Sequence, residues 1–539
     1  MKSCFPVILL IIFNLSLNAQ VFTSSDLPII IIDTYGHEIP DDPKINAGMK
    51  IIDNAPGERN SLTDAPVFDG PIGIEIRGSS SQLFPKKSYG LETWDAESND
   101  IDVSLLGMPA ESDWILNANY TDKTLCRNAL AYQVSQNMGH YATRYKFVEV
   151  MINEDYKGIY LFSEKIKRNA NRVDVAKLKG DQNTGDPLTG GYIFKIDKTT
   201  GSGGDGWTSD FPPAAHSSGQ TIFFQYEYPK SENITNEQKQ YIRNYVNDFE
   251  TALAGPDFAN PENGFRKYII EDTFIDYFLV NEVSKNVDGY RLSTFLHKQR
   301  ESIGGKLRIG PVWDYDIDWH NANYCAGDEL EGWAYQFPCE DDLWQVPFWW
   351  ERLLQDTTFA NKLKCRWTAL RGNILSDNWF DEYFDSVALL LDEPQERNFI
   401  RWPIPDQYVW PNPWPYPATY AEEMSSLKAW IHFRLAWMDA NLPGNCYNLG
   451  LKPEASRAVI QIYPNPANDL IYISTAGRGD KVIIAISDLS GRMRSIRQFK
   501  RIKPGIFILK KDISDLPGGL WLIKITDGNQ TFTQKFIKQ

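Results

Sequence analysis

The sequence predicts an α+β fold in three parts: a strand-rich lobe, a helical lobe and a small C-terminal β-sandwich. Three observations predict it. Short apolar or alternating runs occupy the beginning of the chain, and longer amphipathic segments occupy its middle. The net charge then changes sign in the last part of the chain. With 539 residues, the protein is long enough for two or three domains with sizeable cores.

The strand-rich lobe is predicted from apolar and alternating segments, with strands over 28–33, 45–54, 73–77, 88–93, 147–152 and 158–166. Among them, 124–138 has apolar residues at helical spacing and is followed by Gly139, which is typical of a helix end. The second lobe is predicted to contain amphipathic helices over 236–253, 265–283, 348–375 and 421–441.

The segment 281–321 carries the pattern that is most informative about chemistry. Asp288 precedes Asp314 and Asp316 by about 26 residues, and the chain between them reads as a β-hairpin with a Gly-Gly turn. Folding the hairpin brings the three carboxylates together at its open end. One carboxylate facing two others is typical of phosphoryl-transfer sites, because one acts on a hydroxyl while the others hold magnesium. Solvated acids at a polar hairpin edge are the alternative interpretation.

Four ordered segments carry a family resemblance, namely Ile76 to Ser81 with Phe84 to Tyr89, Asn153 to Lys165, Asn286 to Tyr290, and Gly310 to Asp316. Together they resemble the signature of the CotH family of atypical, secreted protein kinases. This resemblance implies an atypical bilobal protein-kinase-like domain over 71–445, preceded by a β-rich extension over 20–70. The order of strands, one helix and then a helical lobe agrees with it.

The resemblance also implies roles for individual residues. Asp288 takes the place of the catalytic aspartate that accepts the proton of the substrate hydroxyl. Asp314 takes the place of the metal-binding aspartate, and Asp316 is a second ligand or an orienting group. Asn286 or Asn281 adds a metal contact, unless it only caps the end of the helix. The implied cofactor is Mg²⁺ (or Mn²⁺), with ATP as the substrate.

Nucleotide binding is assigned to a basic and Ser-rich segment. Lys87 is the lysine expected to pair with the phosphates, while Arg77 and the backbone of Ser79 and Ser80 cover them as a nest of N–H groups. A plain polar turn is the competing interpretation. Glu164 is expected to pair with a lysine or to mark the hinge near the adenine, with a solvated strand end as the alternative. The chain departs from ordinary kinases because it has neither an HRD nor a DFG motif.

The N-terminus predicts secretion. A basic start, an apolar run over 5–17 and a small residue before the expected cleavage site after Ala19 are typical of a secretory signal peptide over 1–19. The other apolar runs are too short for a membrane helix, so we expect no transmembrane segment in the mature protein.

The last part of the chain is predicted as a separate domain over 458–539, after a linker over 446–457. Residues 457–539 contain 14 Lys and Arg against 6 Asp and Glu, a net charge of +8, whereas the whole chain carries −15 and the remainder therefore −23. Short alternating strands predict an immunoglobulin-like β-sandwich. The YPNPANDLIYI, SGR, LPGGLWLIKI and KFIKQ segments resemble the type A sorting domain of type IX secretion in Bacteroidetes. This implies the type IX machinery as a partner and a secreted or cell-surface location.

Cysteines and charge limit the remaining possibilities. The acidic balance without a basic stripe argues against nucleic acid as a partner. Cys325 and Cys339 are the best disulfide candidates in an oxidising compartment. Cys365 with Cys446 is open from sequence, and the odd count after signal removal leaves at least one thiol free.

The primary hypothesis is transfer of phosphate from ATP to Ser or Thr of a secreted protein. The Pro-rich segment with Trp402, Trp410 and Trp414 suggests another class: an inactive kinase-like scaffold that binds a surface glycan. The alternative interpretation is that this Pro-rich segment is a rigid loop that only covers the core. A third hypothesis, a glycosidase with Asp288 and Asp314 as acid and nucleophile, needs neither ATP nor metal.

Overall fold

The computed structural model describes residues 22–199, 204–214 and 219–446, and parts of 460–538, namely 460–463, 467, 470–477, 481–488, 492–500, 505–527 and 530–538. The predicted signal peptide over 1–19 and the linker residues 447–457 lie outside the described residues. The chain is a mixed α and β protein. Within these ranges, no helix combines the length and the apolar composition needed to cross a membrane.

The first part of the chain forms a closed β-barrel. Its elements in chain order, with two short flanking strands, are β1 (Ser24–Ser25), β2 (Ile29–Asp33), β3 (Ile45–Ile52), β4 (Asn60–Ser61), β5 (Phe68–Arg77), β6 (Ser88–Thr93), β7 (Asp113–Asn117), α1 (Arg127–Asn137), β8 (Tyr145–Ile152) and β9 (Asp155–Glu164). The barrel order is β2-β3-β5-β6-β7-β9-β8, and parallel pairing of β2 with β8 closes it. Because β2 and β3 belong to the same barrel as β5, the barrel spans the predicted boundary at residue 70.

The uninterrupted apolar run of β2 has a structural reason. Ile30 and Ile32 point into the barrel core, whereas Ile29 packs with Phe22 and Ile52 in a smaller cluster outside it. A strand that is covered on both faces does not need to alternate between apolar and polar residues. The predicted strands of this lobe are therefore found, but β7 was not predicted from the sequence.

The second part of the chain combines a five-stranded sheet with helices. Its elements are α2 (Gly185–Leu188), β10 (Tyr192–Ile196), β11 (Gly206–Thr208), β12 (Phe223–Tyr228), α3 (Asn236–Ala254), α4 (Glu271–Ser284), β13 (Thr294–Lys298), β14 (Leu307–Ile309), α5 (Trp349–Leu354), α6 (Thr357–Arg371), α7 (Asp377–Leu390), α8 (Asp392–Arg401) and α9 (Tyr420–Asn441). The sheet order is β11-β12-β10-β13-β14.

Local capping explains where the helix predictions differ from the structure. The helix predicted over 348–375 is two helices, because the Asp356 side chain accepts a hydrogen bond from the Thr358 N–H and starts α6 there. Ser376 caps α7 in the same way. The sequence analysis missed α7 and α8, and it began α4 several residues too early.

The predicted hairpin between the acidic residues exists but is shorter than expected. Strands β13 and β14 pair antiparallel, with Leu296 opposite Ile309 and His297 opposite Arg308. A 3₁₀ turn over Glu301–Ile303 and the left-handed Gly304 (φ 87°) join them. Helix α4 precedes the hairpin and is buried on all sides, with Asp272 as the one residue that is not buried. The hairpin and the segment before it are therefore anchored to the centre of the helical region.

The C-terminal part is built from strands alone in its described ranges: β15 (Ile460–Tyr463), β16 (Leu470–Gly477), β17 (Lys481–Ser487), β18 (Met493–Lys500), β19 (Gly505–Asp512), β20 (Gly519–Asp527) and β21 (Gln530–Lys538). They form two antiparallel sheets, β15-β16-β19 and β18-β17-β20-β21. Residues from both sheets share one apolar core, which contains Ile471, Ile473, Trp521, Ile523 and Ile525. The alternation read from the sequence is thus confirmed at these positions.

Two disulfides fasten the helical region. One joins Cys325 to Cys339, and the other joins Cys365 in α6 to Cys446, which follows α9. The second pairing was left open by the sequence. Cys126 is buried at the start of α1 and forms no disulfide, so the odd thiol is shielded from exchange.

Removing the Cys365–Cys446 bond is expected to cost more stability than removing the Cys325–Cys339 bond. The two bonds span 81 and 14 residues, and the chain-entropy estimate is about 4.5 kcal/mol for the longer loop and about 3 kcal/mol for the shorter one. Urea unfolding of the two double Cys→Ala variants measures the difference. An equal or reversed order would contradict the expectation that loop length dominates.

Candidate active site

The segment that follows α4 is held in place by its own side chains. The Asn286 side-chain oxygen accepts a hydrogen bond from the Asp288 N–H at 2.9 Å. Gly289 packs so closely that a Cβ there would lie 2.4 Å from the Asn281 amide oxygen. Asn281 in turn accepts a hydrogen bond from the Tyr315 hydroxyl at 3.0 Å. Asn281 and Asn286 therefore connect the Asp288 segment to the Asp314–Asp316 segment, and their side chains act as braces.

Asp288 is oriented by a buried arginine. The Arg291 guanidinium donates to one carboxylate oxygen of Asp288 at 2.6 Å and lies 3.3 Å from Asp342. Arg291 is itself buried against the Phe337 ring, with 4.0 Å between the guanidinium carbon and the ring centroid. Because the arginine is fixed by packing, it holds the Asp288 carboxylate in one direction.

Asp314 lies in an electrostatically strained position. It adopts left-handed backbone geometry (φ 68°), which is uncommon for a residue other than glycine. Water reaches its side chain, but the surrounding protein and the negative charges of Asp288 and Asp197 raise the pKa of this carboxyl to about 6. Arg77 and Lys198 oppose that rise. The Ser293 hydroxyl lies 3.4 Å from its Oδ2.

Asp316 adds to the same excess of negative charge. Burial raises its pKa well above the usual value, and the charges of Asp314, Asp122 and Asp288 raise it further. Two neighbouring acids with raised pKa values indicate that protein cations do not neutralise them fully. A bound divalent cation would supply the missing positive charge.

The donor set fits a hard cation of the magnesium type. Carboxylate oxygens are its preferred protein ligands, and Mg²⁺ is usually held by one or two carboxylates together with substrate phosphates. In the part of the chain that the structure describes, no three His, Cys, Asp or Glu side chains are close enough to hold a metal by themselves. The two carboxylates of Asp314 and Asp316 match the number that such a cation usually takes from the protein.

Basic side chains of the barrel and of the five-stranded sheet contribute positive charge to this region. Arg77 ends β5, and its guanidinium carbon lies 5.5 Å from the centroid of the Trp313 ring. Burial lowers the pKa of Arg77, while the charge of Asp314 opposes that change. Lys195 lies in β10, 3.3 Å from Asp197, and Lys198 follows that strand. The sequence analysis missed Lys195 and Lys198.

The two lysines of the basic segment have different surroundings. Lys87 precedes β6, and its ammonium donates to the Gln82 carbonyl within the turn at 2.5 Å. Lys86 is buried, hydrogen-bonds to the Ile159 carbonyl and lies 4.7 Å from the centroid of the Tyr160 ring, and burial lowers its pKa to about 7. Ser79 and Ser80 are exposed at the start of this turn.

Glu164 is a buried carboxylate. It accepts hydrogen bonds from the Tyr141 hydroxyl at 3.2 Å and from the Arg144 guanidinium at 2.7 Å, and it lies 3.5 Å from the Arg172 Nε. The interpretation as a solvated strand end is wrong, because the side chain is fully buried at the end of β9. Its charge is balanced by Arg144 and Arg172 and not by the lysine that was one of its two predicted roles, while the hinge role stays a prediction.

The structure thus brings Asp288, Asp314, Asp316 and Arg77 close enough for their charges to interact, whereas Lys87 and Glu164 form hydrogen bonds with other groups. Ser293 also belongs to the site and was missed. The sequence contains an indication of this role for Ser293, because Ser293 follows Asp288 by five residues. Kinases use the same spacing between the catalytic aspartate and a metal-binding asparagine.

Comparison with known proteins places this geometry in context. The Inner spore coat protein H of Bacillus subtilis (strain 168) is 23% identical over 249 residues, which cover 46% of this chain and 59% of that protein. The chain therefore matches less than two thirds of the length of this relative. Among solved structures, the Twitchin kinase region from C. elegans is 10% identical, covering 96% of this chain and 99% of that chain. Its TM-score of 0.13 supports no argument about the fold.

Two family models match the chain. The secretion system C-terminal sorting domain covers residues 461–539, and it directs the protein through the type IX secretion system to the cell surface or the outside. The CotH kinase protein model covers residues 74–438, which include the barrel from β5 onwards, α4, the hairpin and all three acidic residues. Since this match extends over more than half of the 539-residue chain, the chain belongs to the CotH kinase family.

Proposed function

We propose that the protein is a secreted or cell-surface atypical protein kinase that transfers the terminal phosphate of ATP to a Ser or Thr hydroxyl of a secreted protein. The observation that carries the proposal is the group of Asp288, Asp314 and Asp316, where burial and then mutual repulsion raise the pKa values of the last two. Phosphoryl transfer relies on positioning and on charge stabilisation, and this group supplies both a base and a cation site.

In this proposal, Asp288 orients the acceptor hydroxyl and takes its proton, while the fixed Arg291 keeps the carboxylate aimed. Asp314 and Asp316 would hold Mg²⁺ (or Mn²⁺), and the bound cation would supply positive charge next to the ATP phosphates. Ser293, which is near Asp314, adds an oxygen to that set. Asn286 contributes through the backbone of Asp288, and its contact to metal remains a prediction.

We assign the nucleotide phosphates to the cationic side of the cleft. Arg77 and Lys198 act on Asp314 through their charges and are therefore near the place where phosphates would lie. The backbone N–H groups of Ser79 and Ser80 remain our candidates for covering the phosphates. Lys87 now donates to the Gln82 carbonyl, and its ammonium would have to turn toward the phosphates to bind them. Glu164, with its two arginines, fixes the end of β9 at the proposed hinge.

The proposed architecture is a bilobal, kinase-like domain that ends at residue 445 and begins with β2, ahead of the predicted start at residue 71, because β2 and β3 complete the barrel. The barrel stands in for the nucleotide-binding lobe, and the five-stranded sheet with its helices stands in for the acceptor-binding lobe. The two C-terminal sheets with one shared core are consistent with an immunoglobulin-like sandwich over 458–539. Export across the inner membrane would depend on the predicted signal peptide.

A second candidate function is supported by the Pro-rich segment. Trp414 is 75% exposed, Tyr408 51% and Trp410 47%, and Trp410 stacks on Tyr324 with 5.8 Å between ring centroids. Exposed, fixed aromatic faces suit sugar rings, which supports an inactive scaffold that binds a surface glycan. Retention on glycan without any nucleotide binding would favour this candidate.

Thermal melting with Mg-ATP tests the primary proposal. We expect ligand at about 100 times its Kd to stabilise the wild-type protein by about 2.7 kcal/mol, and we expect Asp314→Ala to remove this gain while the apo protein stays folded. The reason is that the variant lacks the carboxylate that holds the cation. The matched control is Asp341→Ala, which removes an exposed carboxylate just after the segment 325–339. Undiminished stabilisation of Asp314→Ala by Mg-ATP would contradict the metal assignment.

A further inference from the structure

A cavity of about 400 Å³ lies between the end of α1, helix α4 and the β13–β14 hairpin. Its lining includes His140, Arg172, Asp276, His297 and Arg308, and neither Asp288 nor Asp314 is among the lining residues. Its volume falls in the range of small-molecule sites, about 300–1,000 Å³. The cavity is thus a site of ligand size that the proposed phosphoryl transfer does not use.

Arg308 is the unusual member of this lining. It is half-buried on β14, and within the described ranges no residue forms a hydrogen bond or an ion pair with its guanidinium. A guanidinium presents several N–H donors in a planar fork that matches an oxyanion. A half-buried arginine that lacks a protein partner is therefore ready to bind an anion.

His297 lies directly across the hairpin from Arg308. Its Nδ1 is 3.1 Å from the Gly310 carbonyl, and since a carbonyl only accepts, Nδ1 carries the proton. Burial and the positive charge of Arg308 lower the pKa of His297 to about 4, against the effect of that hydrogen bond. The ring is neutral at pH 7, which leaves Nε2 as an acceptor beside the cation.

The other basic side chains of the cavity lining already face carboxylates of the protein. Asp276 binds the Arg366 guanidinium at 2.8 Å and His140 at 2.7 Å. Arg172 is paired with Glu164, and Asp174 is exposed to solvent. Arg308 is thus the lining cation whose charge is left for a ligand.

We propose that this cavity binds a small molecule that carries an oxyanion, either phosphate or carboxylate, with Arg308 as the ligand of the anion. His297 Nε2 accepts a hydrogen bond from a donor group of the same molecule. The site is independent of the proposed kinase reaction, because its lining and the acidic group share no residue.

Calorimetric titration of the full-length protein with inorganic phosphate, and separately with citrate, tests the site. We expect saturable binding of at least one anion, and we expect Arg308→Gln to weaken it about tenfold or more, since one charge-assisted contact is lost. Arg308→Lys keeps the charge but not the fork and should bind with intermediate affinity. Binding of phosphate alone or of citrate alone identifies which oxyanion the site prefers.

Two controls separate this site from other arginines and from the proposed active site. Arg243→Gln alters an exposed arginine of α3 that pairs with Asp210, and Lys198→Gln removes a cation of the proposed kinase cleft. Both should bind the anion as wild type does. Loss of binding in Lys198→Gln would move the anion to the kinase cleft and overturn the proposal.

Absence of saturable binding to wild type, or unchanged binding in Arg308→Gln, would also overturn it. Arg308→Gln should fold, because it breaks no hydrogen bond or ion pair with any described residue. If that variant melts early, the shift of the His297 ring resonances on addition of the anion to wild type decides the matter. A shift there supports the site, and no shift refutes it.

Discussion

Asp288→Asn is expected to lower phosphoryl transfer by about 10²–10⁴-fold while leaving the affinity for Mg-ATP nearly unchanged. The reason is that Asp288 acts on the acceptor hydroxyl, so that its effect appears as the transition state forms. Asparagine has nearly the same shape and can still accept a hydrogen bond from Arg291, which lies 2.6 Å away. The variant should therefore fold. The measurement is transfer from labelled ATP to a Ser-rich peptide or to the protein itself, beside a binding titration.

The matched control for this experiment is Asp341→Asn, which removes one negative charge from an exposed position. It should transfer phosphate at the wild-type rate. Equal transfer by wild type and Asp288→Asn would remove Asp288 from the mechanism. Absence of transfer in wild type, together with glycan retention, would favour the second candidate function.

A large stability effect is expected at a buried ion pair behind the site. Glu282 lies in the last turn of α4. Its carboxylate accepts hydrogen bonds from the Tyr290 hydroxyl at 2.9 Å and the Ala334 N–H at 2.7 Å, and from the Arg434 guanidinium at 3.3 Å. Burial raises the pKa of Glu282 and lowers that of Arg434 to about 10. Glu282→Met should reduce the free energy of unfolding by about 3–5 kcal/mol, because it leaves Arg434 buried without its counter-charge.

Urea unfolding measures this effect, and a double variant tests its cause. Glu282→Met with Arg434→Met removes both charges and should recover much of the loss. The surface control is Asp210→Ala, which breaks an exposed pair with Arg243 and should cost less than about 1 kcal/mol. If the double variant were as unstable as Glu282→Met alone, lost packing would account for the loss and the unpaired charge would not.

The acidic half of the site was accessible from the sequence because its geometry is local. Asp288 and Asp314 flank one hairpin, and antiparallel pairing of neighbouring strands brings the two ends together whatever the rest of the chain does. Ser293 could have been found in the same way from its spacing to Asp288. The turn residues that shape this region, such as Tyr290 with φ 71°, leave no comparable pattern.

The cationic half was not accessible, because it depends on pairing over a long sequence distance. Strand β10 lies next to β13 with Ile196 opposite Thr294, and this register places Asp197 and Lys198 beside the Ser293 segment. Nothing in the local pattern near Lys198 specifies its partner strand. The same reason explains Glu164, whose burial follows from closure of the barrel by strands that are distant in sequence.

The Cys365–Cys446 bond determines how mechanical force would pass from the C-terminal tail into the protein. Cys446 lies between the end of α9 and the sorting domain, and its bond leads directly into α6, which packs against α4. If the tail is held at the cell surface, a pulling force on it would therefore pass through the disulfide to α6 before it could unfold α9 from its C-terminal end. The disulfide would thus direct such a force first to α6 and to its packing against α4.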